Sequence, residues 1–132
     1  MNQSFAALLL AARRERQLVI ATALTDGAPS GQARQARLAQ QQGAGAAELR
    51  ADLLADPAQV RAALTAVRAA SSLPLLLTYR STTEGGKGAG HGQGYEDYLA
   101  SLLQLRPAVA AVDIEMACPA SKALVAEAKA GG

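Results

Sequence analysis

No tryptophan occurs among these 132 residues, and aromatic side chains make up only 3% of them. A core without large rings has to be assembled from alanine, leucine and valine. Alanine buries little area, so hydrophobic stabilisation per residue is modest. One cysteine, Cys118, excludes an intrachain disulfide framework. It fits a reducing compartment and reads as a small apolar residue near a strand end. A single histidine, His91, leaves no Cys/His cluster, so no metal site is expected.

Strong charge of one sign is also missing. Thirteen basic and eleven acidic residues give a formal net charge of +2. The arginines are scattered and lack interleaved aromatics, which argues against a nucleic-acid partner. Long hydrophobic runs are absent too. Phe5 to Ala12 is apolar but too short to span a bilayer. Arg13, Arg14 and Arg16 follow that run rather than precede it, the reverse of a signal peptide. A cytoplasmic protein without a membrane partner is the expectation.

What remains is half hydrophobic and long enough for one domain with a core. Asn2 to Arg16 predicts a leading helix capped by Ser4, and residues 1–17 are set apart as an N-terminal helical segment. Leu18 to Leu24 is a compact apolar run, read as a first strand. Asp26-Gly-Ala-Pro-Ser-Gly31 is turn chemistry. Gln32 to Gln42 predicts a helix closed by Gly43. Ala46-Ala-Glu48-Leu-Arg50-Ala-Asp52 fits a strand or a helix on its own. As a strand it places Glu48, Arg50 and Asp52 on one face and Leu49 on the other. Three charges on one face of a buried strand need a reason, and a polar ligand site or a structural ion pair would each supply one.

Asp56-Pro57 predicts a capped helix start, and Val60, Leu64 and Val67 mark one buried stripe running to about Ala70. Pro74 opens the most informative stretch, Leu75-Leu-Leu-Thr-Tyr-Arg80-Ser-Thr-Thr-Glu84-Gly-Gly86. Its apolar run is a buried strand, and Arg80 at the C-terminal tip stands where α/β folds bind ligands. Ser81 to Gly94 is a glycine-rich loop with Glu84, Lys87 and His91. The glycines around His91 predict a mobile loop rather than a positioned catalyst. Tyr95 to Leu105 is a helix, Val109 to Met116 a fourth strand, and Pro119 to about Ala130 a last helix closed by Gly131-Gly132. Lys122 and Lys129 on that helix are expected at the solvated surface. Strands alternating with helices argue for a parallel sheet with right-handed crossovers.

Four of these segments resemble, in order, the type I 3-dehydroquinate dehydratase family. They are Val19-Ile-Ala-Thr22, Glu48-Leu-Arg50-Ala-Asp52, Thr78-Tyr-Arg80-Ser81 with Glu84-Gly-Gly86, and Val112-Asp113-Ile-Glu115. Each is weak alone; together, at family-like spacing, they are fairly specific. The resemblance implies four βα units, half of a (β/α)8 barrel, over residues 18–132. An open flavodoxin-like sheet is the alternative fold. It also implies dehydration of 3-dehydroquinate to 3-dehydroshikimate through a Schiff base, with no metal or organic cofactor. Thr22, Glu48, Arg50 and Arg80 would contact substrate, and Glu84 would orient the base. Arginine suits such a ligand, because it presents fixed donors to oxygens and stays charged when partly buried.

The resemblance also implies an absence. The family's Schiff-base lysine and general acid/base histidine stand on strands after the fourth helix, where this chain ends. A half barrel leaves two open sheet edges, which predicts a homodimer or association with a partner chain. The rival reading of function is therefore a non-catalytic binding or assembly module, for a small polyhydroxy acid or for a partner.

Overall fold

The computed structural model describes residues 4–131. Asn2 and Gln3 of the expected leading helix, and Gly132, lie outside them. The first helix, α1 (Phe5–Glu15), starts where the sequence predicts: Ser4 Oγ accepts the Ala7 N–H at 3.1 Å. Four strands follow, β1 (Ala21–Leu24), β2 (Ala46–Arg50), β3 (Leu75–Thr78) and β4 (Ala111–Val112). They alternate with α2 (Pro29–Gln41), α3 (Pro57–Ala70), α4 (Gln93–Leu103) and α5 (Ser121–Ala130).

All strand pairs are parallel and the spatial order is β1-β2-β3-β4. A flavodoxin-like sheet reverses order at its second strand. The unbroken order rules out that alternative and is the order of a barrel. Alternation along the strands then divides the sheet into two faces. Leu24, Ala47, Leu49, Leu75 and Leu77 are buried in the core with Ala36, Val60, Ala63, Leu64, Val67 and Leu99 of the helices. Glu48, Leu76 and Ala111 lie in register on the opposite face.

α3 shows how the local sequence builds this packing. Asp56 caps it by accepting the Gln59 N–H at 2.8 Å, and Pro57 takes the first turn, where a missing N–H costs nothing. The expected stripe of Val60, Leu64 and Val67 is buried, with Ala63 beside it. The core is aliphatic as composition requires, apart from tyrosines and Cys118.

Several boundaries differ from expectation, each for a local reason. β1 starts at Ala21 rather than Leu18, because its partner β2 begins only at Ala46, opposite Ala21. Leu18 is left 94% exposed. α2 starts at Pro29 within the expected turn, since proline is suited to a first helical turn. The ambiguous third segment is a strand, but it ends at Arg50, and Asp52 falls in a 3-10 turn over Ala51–Leu53. β4 is two residues long rather than eight. Beyond it one backbone bond remains, from the Asp113 N–H to the Leu77 carbonyl at 2.9 Å, and Arg80 pairs with the Asp113 and Glu115 side chains. α4 spans Gln93–Leu103 rather than Tyr95 to Leu105, and α5 starts at Ser121. Lys122 and Lys129 are exposed, as expected.

Candidate active site

The C-terminal ends of β2, β3 and β4 carry a cluster of charged side chains. Arg50 is the last residue of β2. Its Nε and Nη2 donate to Asp52 Oδ1 and Oδ2, both at 2.8 Å, a bidentate fork. Asp52 also accepts the backbone N–H groups of Arg80 at 3.3 Å and Lys87 at 3.1 Å. One carboxylate therefore ties the end of β2 to the end of β3 and to the loop that follows. Burial pushes this carboxyl up. The bonds from Arg50, Lys87 and Arg80 outweigh burial, and the net shift is downward.

Arg80 stands two residues beyond β3. Its Nη1 donates to Glu84 Oε2 at 2.9 Å and to Glu115 Oε1 at 3.1 Å, and Nη2 is 3.2 Å from Asp113 Oδ2. Glu115 is buried and richly partnered. The Ser81 N–H donates to Oε1 at 2.9 Å and the Ser81 hydroxyl to Oε2 at 2.6 Å. His91 Nε2 lies 2.6 Å from the same Oε2. Burial raises Glu115, but Ser81, His91 and Arg80 together hold it below its ordinary value. Asp113 goes the other way: burial leads, and Glu115, Glu48 and Glu84 add to it against Arg80.

The loop after β3 is built rather than mobile. A parallel bridge joins Ser81 to Gly88, and Thr82–Glu84 forms a 3-10 turn capped by the Ser81 hydroxyl. Gly85 takes φ +84°, and a Cβ on Gly86 would meet the Arg80 carbonyl oxygen at 2.2 Å. The chain's three tyrosines gather here. Tyr79 stacks on Tyr98 at 4.1 Å and on Tyr95 at 5.6 Å, and its hydroxyl accepts the Ala89 N–H. His91 rests against Tyr95 at 5.3 Å, and its N–H donates to Thr83 Oγ1. The expectation of an unpositioned histidine is thus corrected. Tyr95, Thr83 and Glu115 hold it in place, and Glu115 reaches it from the end of β4.

Of the residues expected to meet substrate, Glu48 and Arg50 share the sheet face away from the helices, with Glu48 between Ala23 and Leu76 in register. Arg80 and Glu84 join them at the strand ends. Thr22 does not. It pairs with Ala47 on the helix side of β1 and lines a groove with Gln35 and Leu38 of α2. Ala21 and Ala23 occupy the face where a hydroxyl was expected. Asp113, Glu115, Ser81 and His91 belong to the cluster although sequence reasoning gave them no role. The alternation Asp113-Ile-Glu115 was the available signal, since it sends both carboxylates to one side of a strand end. No metal motif is legible in the sequence, yet the fold gathers ligand atoms of Glu84, His91 and Glu115 within 4.8 Å of one another.

Comparison with known proteins bears on family and fold. The family model for type I 3-dehydroquinase matches residues 20–132. A 3-dehydroquinate dehydratase of Methanoregula boonei is 41% identical over 110 residues, covering 83% of this chain and 47% of that protein. One from Methanosarcina barkeri is 36% identical over 100 residues, covering 73% of this chain and 41% of the relative. The chain thus spans less than half the length of these relatives. In fold, 3-dehydroquinate dehydratase of Geobacillus kaustophilus superposes with a TM-score of 0.71 at 23% identity, over 86% of this chain and 46% of its own. The type I enzyme of Clostridium difficile gives 0.74 at 19% identity, over 85% and 46%. With its four parallel βα units, the sequential strand order and the charged strand ends, this chain belongs to the type I 3-dehydroquinase family.

Proposed function

We propose that this chain carries the substrate-recognition half of a 3-dehydroquinate dehydratase site. The observation that supports it is the linkage of Arg50 and Arg80 through Asp52 at the ends of adjacent strands. 3-Dehydroquinate is a small ring with a carboxylate, a ketone and several hydroxyls. Arg50 and Arg80 donate to its oxygens, and Glu48 accepts from a hydroxyl. Glu84, paired with Arg80, orients the base. Thr22 takes no part, given its place on the helix side.

The charge balance narrows the role. Glu48, Asp52, Glu84, Asp113 and Glu115 are five carboxylates against the two guanidiniums of Arg50 and Arg80. Such a cluster repels the substrate carboxylate, so this half holds the ring's hydroxyl and ketone end. It favours the positive charge that the substrate acquires as an iminium. The Schiff-base lysine and the histidine general acid/base belong, by the family pattern, to the part of the relatives not covered here. The buried free thiol of Cys118 suits a cytoplasmic setting. Among the described residues, no helix is long and apolar enough to cross a membrane.

The test is titration of the purified chain with 3-dehydroquinate by calorimetry, with turnover followed by the enone absorbance of product and borohydride added as a Schiff-base trap. The reading expects weak saturable binding, lost in Arg80→Ala, with no trapped adduct. Adduct formation on Lys87 would show that the chain performs the covalent step itself. No saturable binding would overturn the reading.

A second reading, an assembly module, is favoured by the exposed apolar residues beside β1 and β4. Ile20 is 63% exposed and Met116 75% exposed. A homodimer joined at these edges is proposed, and sedimentation equilibrium tests it. A monomer at tens of micromolar would exclude it.

A further inference from the structure

We propose that α1 and the turn after it form a docking surface for an anionic lipid bilayer. The inference stands apart from the substrate reading. α1 packs beside residues 18–20, Gly43 and Gly45, which lead into β1 and β2, whereas the charged cluster lies at the opposite ends of the strands. The helix also lies ahead of residues 20–132, the part shared with the family. Its first support is exposure. No residue of α1 is buried. Leu9 and Leu10 are about half exposed and Leu18 almost wholly, three of the six large hydrophobic side chains exposed among the described residues. Leu18 returns to the helix through Arg16, whose φ of +55° is a conformation that glycine adopts more readily. The reversal is closed by the Gln17 N–H, which donates to the Ala12 carbonyl at 2.9 Å. Leu18 then lines a groove of about 280 Å³ with Leu8, Ala11 and Ala12.

The second support is the order of residues along the helix. Leu9 and Leu10 stand one turn ahead of Arg13 and Arg14, so leucines and arginines share an exposed face. The N-terminal half of that face is apolar and the C-terminal half basic. A helix tilted into an interface uses both: the leucines enter the acyl region, and the long arginine side chains reach back to the phosphates. The third is charge. Arg13, Arg14 and Arg16 form no ion pair among the described residues, and Glu15 is the only acid before Asp26. Three arginines less one glutamate leave this segment at +2. A second copy would set the same positive patch against it, and like charges repel. A single carboxylate on a protein partner answers one arginine, whereas a layer of lipid phosphates answers all three beside an apolar region. At 11 residues α1 is too short to cross a bilayer, so it lies on the surface. The sequence excludes a spanning run, not a helix of this kind.

The test is cosedimentation of the full, tag-free chain with vesicles of phosphatidylcholine alone or of an equal mixture with phosphatidylglycerol. Saturable binding to the mixed vesicles is expected, at least about tenfold weaker on phosphatidylcholine alone and weakened by salt. Leu9→Gln with Leu10→Gln, and separately Arg13→Gln with Arg14→Gln, should each weaken it about tenfold or more. All four positions are exposed, and circular dichroism checks that both variants fold. Arg34→Gln with Arg37→Gln, at exposed positions of α2, should leave vesicle binding unchanged. No binding to the mixed vesicles, binding undiminished by the α1 substitutions, or an equal loss in the α2 variant overturns the proposal. Sedimentation equilibrium without vesicles covers the rival occupant. A dimer dissolved by the leucine substitutions, with no binding to either vesicle, would assign the surface to a second copy and overturn the proposal as well.

Discussion

Asp52 is the side chain on which β2, β3 and the following loop converge, and its replacement should be costly. Asp52→Asn keeps the shape but removes the charge that holds the Arg50 fork, leaving a partly buried guanidinium uncompensated. Loss of one partner of a buried pair costs about 3 kcal/mol, and urea denaturation should show a fall of that order. Gly86 is the second such position. A Cβ there meets the Arg80 carbonyl oxygen at 2.2 Å, so Gly86→Ala must push the loop away from Arg80. Overpacking of this kind costs about 1–3 kcal/mol, and the change should appear both in denaturation and in weaker binding of any ligand held by Arg80. Legibility differed among residues at this scale. Arg50, Arg80 and Glu84 were visible because charges at strand ends are conspicuous against apolar runs. His91 was not, because its partners Glu115 and Tyr95 become neighbours only when β4 and α4 are in place. Thr22 was misplaced for a related reason: the strand itself is legible, but a one-residue difference in register sends a side chain to the opposite face.

Among the elements, α3 was the most legible. Its cap, its proline and its apolar stripe all agree, and its observed span matches the expected one. Asp56→Ala should lower stability by about 1 kcal/mol, read by thermal denaturation, since the Gln59 N–H loses its acceptor. β4 was the least legible. Eight residues of strand-like sequence produce a two-residue strand: the last ladder bond runs from the Asp113 N–H to the Leu77 carbonyl, and beyond it Glu115 is drawn to Arg80 and Ser81. Propensity describes what a backbone favours alone; here, side-chain pairing with the preceding βα unit decides. The glycine-rich loop carries the same lesson in reverse. Its composition suggests freedom, yet stacked tyrosines and the Ser81–Gly88 bridge tie it down.

The whole molecule should respond to acid through this same cluster. Asp52 and Glu115 are held below their ordinary values of 3.8 and 4.5, so folding favours their ionised forms. The stability they contribute is present above that range and is lost as pH falls through it towards the lowered values. Asp113, raised above 3.8, opposes this trend. Thermal midpoints should therefore fall between about pH 5 and pH 2, and Asp52→Asn should flatten part of that fall. The fold class was legible at this scale because four alternating strands and helices allow few arrangements. Alternation alone does not choose between barrel order and an open doubly wound sheet, since both share it; the resemblance of the four segments to the family made that choice, and the strand order agrees with it.

The central claim is that Glu48, Arg50 and Arg80 at the strand ends recognise a small polyhydroxy ring. It is tested most directly by the ¹H–¹⁵N spectrum of the labelled chain during titration with 3-dehydroquinate. Progressive, saturable shifts confined to Glu48–Asp52, Arg80–Gly86 and Asp113–Glu115, and abolished by Arg80→Ala, are the predicted result. A spectrum unchanged by millimolar ligand, or shifts centred on the Thr22 groove instead, would contradict it.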